Sequence, residues 1–361
     1  MLTVALMGVT TLVPAAAVWA LLPLSVALGS IPGAAAIGLS FAAGRALPVL
    51  GLAFRGDETV LAERPRGLRM LRVLAAATLL LALVAGEGRA ASPIASPGGD
   101  PGAEGTGLVW QEPGVGGFLL RDGQRTQLPG TDPALGGSWI AWRNGDAVTI
   151  AWATTLQPVL QLTLPRVEKL ALSQRWLAFR VALPSGAEQI QTLSFTDPAS
   201  VHALTKAWAR GHLGRPSLTG DVVVYHLVAG GRSQLLSVDL ATGKRRLLRS
   251  STQDLLLNPA RIGGRLLFVR VGRCSQQLRL GALDGSGPGR VLYRLPPLAG
   301  EDAGHEKGYT HQGERLPCPH PPRPTTRMLW TTAVTATTAY VTVLRPASGG
   351  TTTPSLVAVT R

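Results

Sequence analysis

The residues with the widest chemical range crowd into one stretch, 295–326. It holds seven prolines, His305, His311 and His320 of the chain's six histidines, and Cys318, one of two cysteines; the other is Cys274. Imidazole and thiolate together are zinc-ligand chemistry, and His305, His311, Cys318 and His320 supply four possible donors. Their spacing matches no compact zinc motif, in which ligands come in pairs a few residues apart. The competing chemistry is oxidation. Outside the cytoplasm a cysteine pair forms a disulfide by default, and closing a loop of roughly 44 residues stabilises by about 4 kcal/mol in the chain-entropy model. The expectation is therefore a Cys274–Cys318 disulfide, with no metal and no cofactor. So long an excursion without secondary structure either has a job or is disordered, and His305, Glu306, His311 and His320 are the candidate contacts of an interaction loop.

Catalytic motifs are missing elsewhere. The sequence has no Gly-x-Ser-x-Gly elbow, no His-Glu-x-x-His, and no phosphate-binding or dinucleotide glycine loop. The pairs His202 with Asp197 and His226 with Asp221 are compatible with many loops. No enzyme is expected, and no catalytic residue is assigned.

The elements that must carry the loop repeat a short pattern. Trp139-Ile140-Ala141-Trp142, Trp176-Leu177-Ala178-Phe179, Val222-Val223-Val224-Tyr225 and Leu266-Leu267-Phe268-Val269 are apolar, β-prone runs spaced about 37, 46 and 44 residues apart, the period of a four-stranded propeller blade. Ala339-Tyr340-Val341-Thr342 is a fifth. A unit of this size cannot bury both faces alone, so copies must stack.

Six units follow from the alternation. They place strands at 108–111, 117–121 and 126–128; 139–142, 148–151 and 159–164; 176–181, 190–195 and 201–204; 222–227, 235–240 and 246–248; 266–271, 278–283 and 291–294; and 328–332, 339–344 and 356–360. Asn144-Gly145 and Gly230-Gly231 read as hairpin turns, and the blade aromatics as core. The last unit lacks an outer strand and the first an inner one, so a ring closed by strands from both termini is expected.

The repeats and the turn Asp239-Leu240-Ala241-Thr242-Gly243-Lys244 resemble TolB-like and WD-repeat-like propellers over residues 107–361. That resemblance implies a binding surface, with specificity in the loops. The chain lacks the aspartate-rich blade turns of many TolB relatives. Propeller-bearing peptidases carry a separate hydrolase domain for which these residues leave no room.

The N-terminal composition is of another kind. Leu2–Leu28 holds no charge and exceeds the length needed to cross a bilayer core. Residues 31–54, interrupted by Arg45, and 73–86, extended back to Leu68, give two more candidate spans. Arg55, Arg64, Arg66, Arg69 and Arg72 place the intervening loop in the cytoplasm, so the chain beyond Gly86 is expected outside. Residues 64–92 also have the order of a secretory signal, whose cleavage would release the ring. The apolar region with Gly44-Arg45-Ala46-Leu47-Pro48 resembles the last helices of DsbD and cytochrome c biogenesis thiol carriers, yet holds none of their cysteines.

The expected architecture is N-terminal transmembrane α-helices over 1–86, a linker over 87–106, and an all-β, six-bladed β-propeller over 107–361 with an insertion at 295–326. The expected setting is the cytoplasmic membrane, multi-pass, with the propeller extracytoplasmic. The net charge of +14, from 35 Lys+Arg against 21 Asp+Glu, reads either as the coding bias of a GC-rich genome or as attraction to an anionic partner. The expected role is a non-catalytic scaffold binding a protein partner or a cell-envelope component at the membrane, with nucleic acid not expected and a small-molecule substrate unspecified. The alternative is an accessory subunit of a membrane transport or thiol-redox assembly built on the helices.

Overall fold

The computed structural model describes residues 91–298, 323, 325–346 and 352–361. The three apolar stretches expected to span a membrane lie outside the described residues, as do His305, Glu306, His311, Cys318 and His320. Among the described residues no helix is long and apolar enough to cross a membrane.

The chain opens with β1 (Ala91–Ala95). Blade one is β2 (Gly99–Glu104), β3 (Gly107–Glu112), β4 (Gly116–Arg121) and β5 (Gln124–Gln127). Blade two is β6 (Thr131–Gly136), β7 (Trp139–Asn144), β8 (Ala147–Trp152) and β9 (Pro158–Thr163). Blade three is β10 (Val167–Leu172), β11 (Trp176–Ala182), β12 (Glu188–Ser194) and β13 (Asp197–Ala203). In blade four a split first strand, β14 (Gly211–Leu213) and β15 (Ser217–Thr219), precedes β16 (Val222–Ala229), β17 (Arg232–Asp239) and β18 (Arg245–Ser251). Blade five is β19 (Leu255–Ile262), β20 (Arg265–Val271), β21 (Gln276–Ala282) and β22 (Arg290–Leu295). Blade six is β23 (Met328–Val334), β24 (Thr338–Pro346) and β25 (Thr352–Thr360), with β1 as its outer strand.

All six sheets are antiparallel meanders, and the first strands touch in a closed circuit, β2 to β6, β10, β15, β19, β23 and back to β2. The described residues are a six-bladed β-propeller. Turns between first and second, and third and fourth, strands lie on one face, the lower. Turns between second and third strands, and the connections between blades, lie on the upper face.

Packing explains the run-like strands. Both sides of each sheet press on neighbours, so a second strand such as β16 is buried almost throughout rather than at alternate residues. Side chains from adjacent sheets make the seams: Phe179 with Val148 and Ile150 between blades two and three, Tyr225 with Ile190 between three and four, Phe268 with Val224 between four and five. Leu356 of β25 closes the circle against Leu108, Trp110 and Phe118 of blade one. Indoles add staples: Trp139 Nε1 donates to the Gln174 carbonyl at 3.1 Å, and Trp176 Nε1 donates to Asp221 Oδ1 at 3.0 Å. The tryptophan that leads two of the repeats thus reaches the lower turn of the next blade.

The stretch expected as a linker is corrected by the structure. Residues 91–106 supply β1 and β2, so the ring begins at Ala91. Two of their glycines sit in crowded places: a Cβ on Gly98 would lie 2.6 Å from the Ala95 Cβ, and one on Gly99 would lie 3.1 Å from Pro354 and Thr342 side-chain carbons. The first strand of every blade from one to five also escapes the alternation pattern. The Asp239 turn is as expected, with Thr242 N donating to Asp239 Oδ1 at 2.9 Å and Gly243 at φ +70°. The β7–β8 turn is shifted by one residue, since Asn144 pairs with Ala147 and Gly145-Asp146 forms the tip.

Leu356 is fully buried in the closing seam. Leu356→Ala is expected to lower unfolding stability by about 3 kcal/mol, read as a shift of the urea midpoint.

Candidate functional site in the central channel

Three first strands break at the same point. Asp100, Asp132 and Asn258 have φ of +51°, +49° and +43°, each is followed by proline (Pro101, Pro133, Pro259), and the register of β2, β6 and β19 shifts there. Short polar side chains tolerate the left-handed region, and proline has no N–H to give the ladder, so Asx-Pro makes a bulge. In blade four the strand is split outright at Gly214-Arg215-Pro216.

These breaks place polar side chains at the centre. Lys169 Nζ lies 2.5 Å from Asp100 Oδ2 and 3.6 Å from Asp132 Oδ1. Arg143 donates to Asp132 Oδ2 through Nε at 3.2 Å and Nη2 at 3.0 Å. Arg215 crosses to three other blades: Nε donates to the Leu170 carbonyl at 3.2 Å, Nη2 to Pro133 at 2.9 Å, and Nη1 to Pro101 at 3.2 Å and to the Asp100 carbonyl. Burial pulls the Arg215 guanidinium below its ordinary pKa, opposed by Asp100 and Asp132. Burial pushes Asp100 upward, but Lys169 and Arg215 outweigh it and hold its carboxyl below the usual range.

Arg215 lines a cavity of about 270 Å³ on the lower side, walled by Leu135, Leu172, Leu218, Ile262 and Val334. Above, Gln111, Thr131, Glu168, Arg180 and the Lys169–Asp132–Arg143 cluster line an open basin. The channel is therefore mostly apolar below, where Glu104 and Arg261 are charged lining residues besides Arg215, and charged above. Its charged groups are mostly engaged with one another.

His226 is wholly buried beside this layer, and its Nδ1 accepts from Asn258 N at 2.8 Å, which leaves the proton on Nε2. Burial, then the charges of His212 and Arg180, drive its pKa well below 6.5. Gly214 is required here, because a Cβ would fall inside the His226 ring. His226 thus faces Asn258, while Asp221 holds Arg175 and the Trp176 indole. Among the described residues no group of three or more His, Cys, Asp or Glu is placed to hold a metal.

Of the residues expected to form a site, Cys274 lies between β20 and β21 on the upper face. The connection from β22 to β23 leaves and returns on the same face. Its described ends are fastened together: Leu298 and Thr325 form a parallel bridge, and Thr325 N donates to the Pro297 carbonyl at 2.8 Å. Gln276, fully buried two residues from Cys274, donates to the carbonyls of Pro296 at 3.0 Å and Arg327 at 2.7 Å and accepts from Leu329 N at 2.9 Å. The channel residues Asp100, Asp132, Lys169, Arg215 and Asn258 were not singled out by sequence reasoning. Asx-Pro-small recurs at 100, 132 and 258, which marks three of them, but it also occurs at 197 in the outer strand β13, so the pattern alone does not single out the channel.

No protein-family model and no curated protein matches this sequence. Among solved structures the chain is similar to TolB from Acinetobacter baumannii, at 11% identity and a TM-score of 0.41 over 70% of this chain and 60% of that one. It is similar to the β-propeller domain of the Trilobed protease from Pyrococcus furiosus at 11% identity and 0.39, over 71% and 79%. An acylaminoacyl peptidase of Pyrococcus horikoshii gives 10% and 0.42, over 71% and 50%. The chain spans 42% of the length of a prolyl endopeptidase that it also matches. At these values none of the likenesses carries an argument about activity, and the propeller stands on its own sheet topology.

Since folding holds His226 neutral, the unfolded chain takes up the extra proton as pH falls through 6.5. The stability associated with His226 is therefore present above that pH and lost below it, by up to about 1.4 kcal/mol per pH unit. Urea midpoints between pH 7 and 5 are expected to fall in the native chain and to flatten in His226→Gln.

Proposed function

We propose that this chain is a membrane-anchored, extracytoplasmic propeller that acts as a non-catalytic scaffold, holding a protein or cell-envelope component at its upper face. The observation that carries the reading is Gln276. One buried amide grips both feet of the 299–324 excursion, and a long loop rooted on a rigid frame is how folds present binding residues. His305, Glu306, His311 and His320 are its proposed contacts. A Cys274–Cys318 disulfide would pin the loop a second time, since Cys274 lies beside Gln276 on the same face.

The channel supports a binding role rather than chemistry. Its charged groups Asp100, Asp132, Lys169, Arg143 and Arg215 are bonded to one another or to backbone carbonyls. The anchor rests on the uncharged Leu2–Leu28 and the two apolar stretches after it.

Two measurements test this. The full chain should resist alkaline carbonate extraction from membranes, with the ring open to protease from the extracytoplasmic side only. A tagged full chain should capture a partner from solubilised membranes, and replacing residues 301–322 with a Gly-Ser linker of equal length should abolish capture without lowering the melting temperature by more than a few degrees. Undiminished capture by the chain with the replaced loop contradicts the upper-face reading.

A further inference from the structure

The cavity beneath Arg215 has the form of a socket. First strands of all six blades wall it, each running toward its lower turn. In blade one the wall extends from Pro101, which accepts from Arg215, to Glu104 at the lower turn, a depth of about 10 Å at roughly 3.3 Å per residue. The exposed Glu104, Gly105 and Ala336 mark the open end, and Arg215 stands at the inner end.

Between the two ends the wall is aliphatic, with Leu135, Leu172, Leu218, Ile262 and Val334. Threonines near the inner end are engaged: Thr332 Oγ1 donates to the Asn258 carbonyl at 2.6 Å, and the Thr331 and Thr342 hydroxyls share a bond at 2.8 Å.

Arg215 differs from them. A guanidinium has five N–H donors, and four are met by the carbonyls of Leu170, Asp100, Pro101 and Pro133, which leaves one on Nη2 among the described residues. That nitrogen stands at the cavity wall, since a Cβ on the lining residue Gly102 would lie 3.6 Å from it. All four acceptors are neutral, so the bonds leave the positive charge in place, and Asp100 and Asp132 act on it through space. An anion beside the guanidinium would offset the cost of its burial.

Size narrows the ligand further. An apolar cavity of about 150 Å³ binds one benzene, so about 270 Å³ takes about ten heavy atoms. Spread over a depth of about 10 Å, that volume is deeper than it is wide.

We propose that the lower channel binds one medium-chain monocarboxylate of about eight carbons, its carboxylate at Arg215 and its alkyl chain along Leu135, Leu218, Ile262 and Val334 toward the lower mouth. An ammonium head would be repelled by Arg215, and an uncharged head would leave its charge unanswered. This site is separate from the upper-face loop and does not depend on it.

The test is calorimetric titration of the full chain in phosphatidylcholine nanodiscs with butanoate, hexanoate, octanoate and decanoate, with empty nanodiscs subtracted. Affinity is expected to rise about fourfold per methylene up to octanoate, at one octanoate per chain, and then to level off as further carbons pass the mouth. Octanol should bind at least about fivefold more weakly than octanoate, and octylamine should give no saturable heat. Ala333→Met, which places a flexible apolar chain in the cavity, should abolish octanoate binding while keeping the melting temperature of the free chain within a few degrees. Affinity that climbs on to decanoate, or heat no greater than that of empty nanodiscs, overturns the socket. Octanol binding as tightly as octanoate overturns the head site at Arg215. Undiminished octanoate binding by a folded Ala333→Met overturns the placement in the lower channel; if that variant does not fold, the chain-length and head-group series in the native chain decide. A chain that stays out of nanodiscs is titrated in buffer, where the same outcomes apply and the anchor alone has failed.

Discussion

One guanidinium holds the middle of this ring. Asx-Pro bulges in β2 and β6 turn carbonyls out of their ladders toward the axis, and the split of β14 from β15 sends Arg215 across to meet them. Unmet carbonyls in a narrow channel would each cost about 1–3 kcal/mol. Arg215 answers carbonyls from blades one, two and three at once, and Asp100 and Lys169 neutralise the buried charges around it. Local irregularity in three strands and the closure of the ring are therefore one feature. The outer seam at Leu356 completes from the side what Arg215 completes from the centre.

A division of labour between the faces results. With its polar groups turned on one another, the channel core offers an incoming molecule little beyond the apolar cavity beneath Arg215. Free surface chemistry is pushed to the rims. The upper rim carries the connection gripped by Gln276, and the cations of blades four to six stand on both rims, Arg232, Arg270 and Arg345 above and Lys244, Arg265 and Arg361 below. Charge asymmetry of this kind speaks to partners and orientation rather than to fold.

The sequence showed the blades because second and third strands are buried on both sides, and a run such as Val222-Val223-Val224-Tyr225 has no other home in a chain of this composition. It hid the first strands for a physical reason. β2, β6 and the split β14–β15 are short, bulged or broken and carry Gly, Pro or Asp, so β2 reads as a linker and β14–β15 as a loop, although Gly214 must be small to clear His226 and Gly99 to clear Thr342. Ring closure was legible from an unmatched strand at each end, but its position at Ala91 was not. The channel site was illegible because its members lie on five blades, up to about 160 residues apart, and only the geometry brings Asp100 to Lys169 and Asn258 to His226. Cys274 stands where a pin for the upper-face loop would be needed, which spacing alone did not require.

The central claim is that Arg215 is the bolt of the ring. Urea unfolding of Arg215→Met, compared with the native chain and with the exposed control Arg210→Met, tests it most directly. The account predicts a loss of roughly 3 kcal/mol or more for Arg215→Met, as carbonyls from three blades and the Asp100 carboxylate lose their cation together, with the control within about 0.5 kcal/mol of native. An Arg215→Met ring as stable as the control would contradict it.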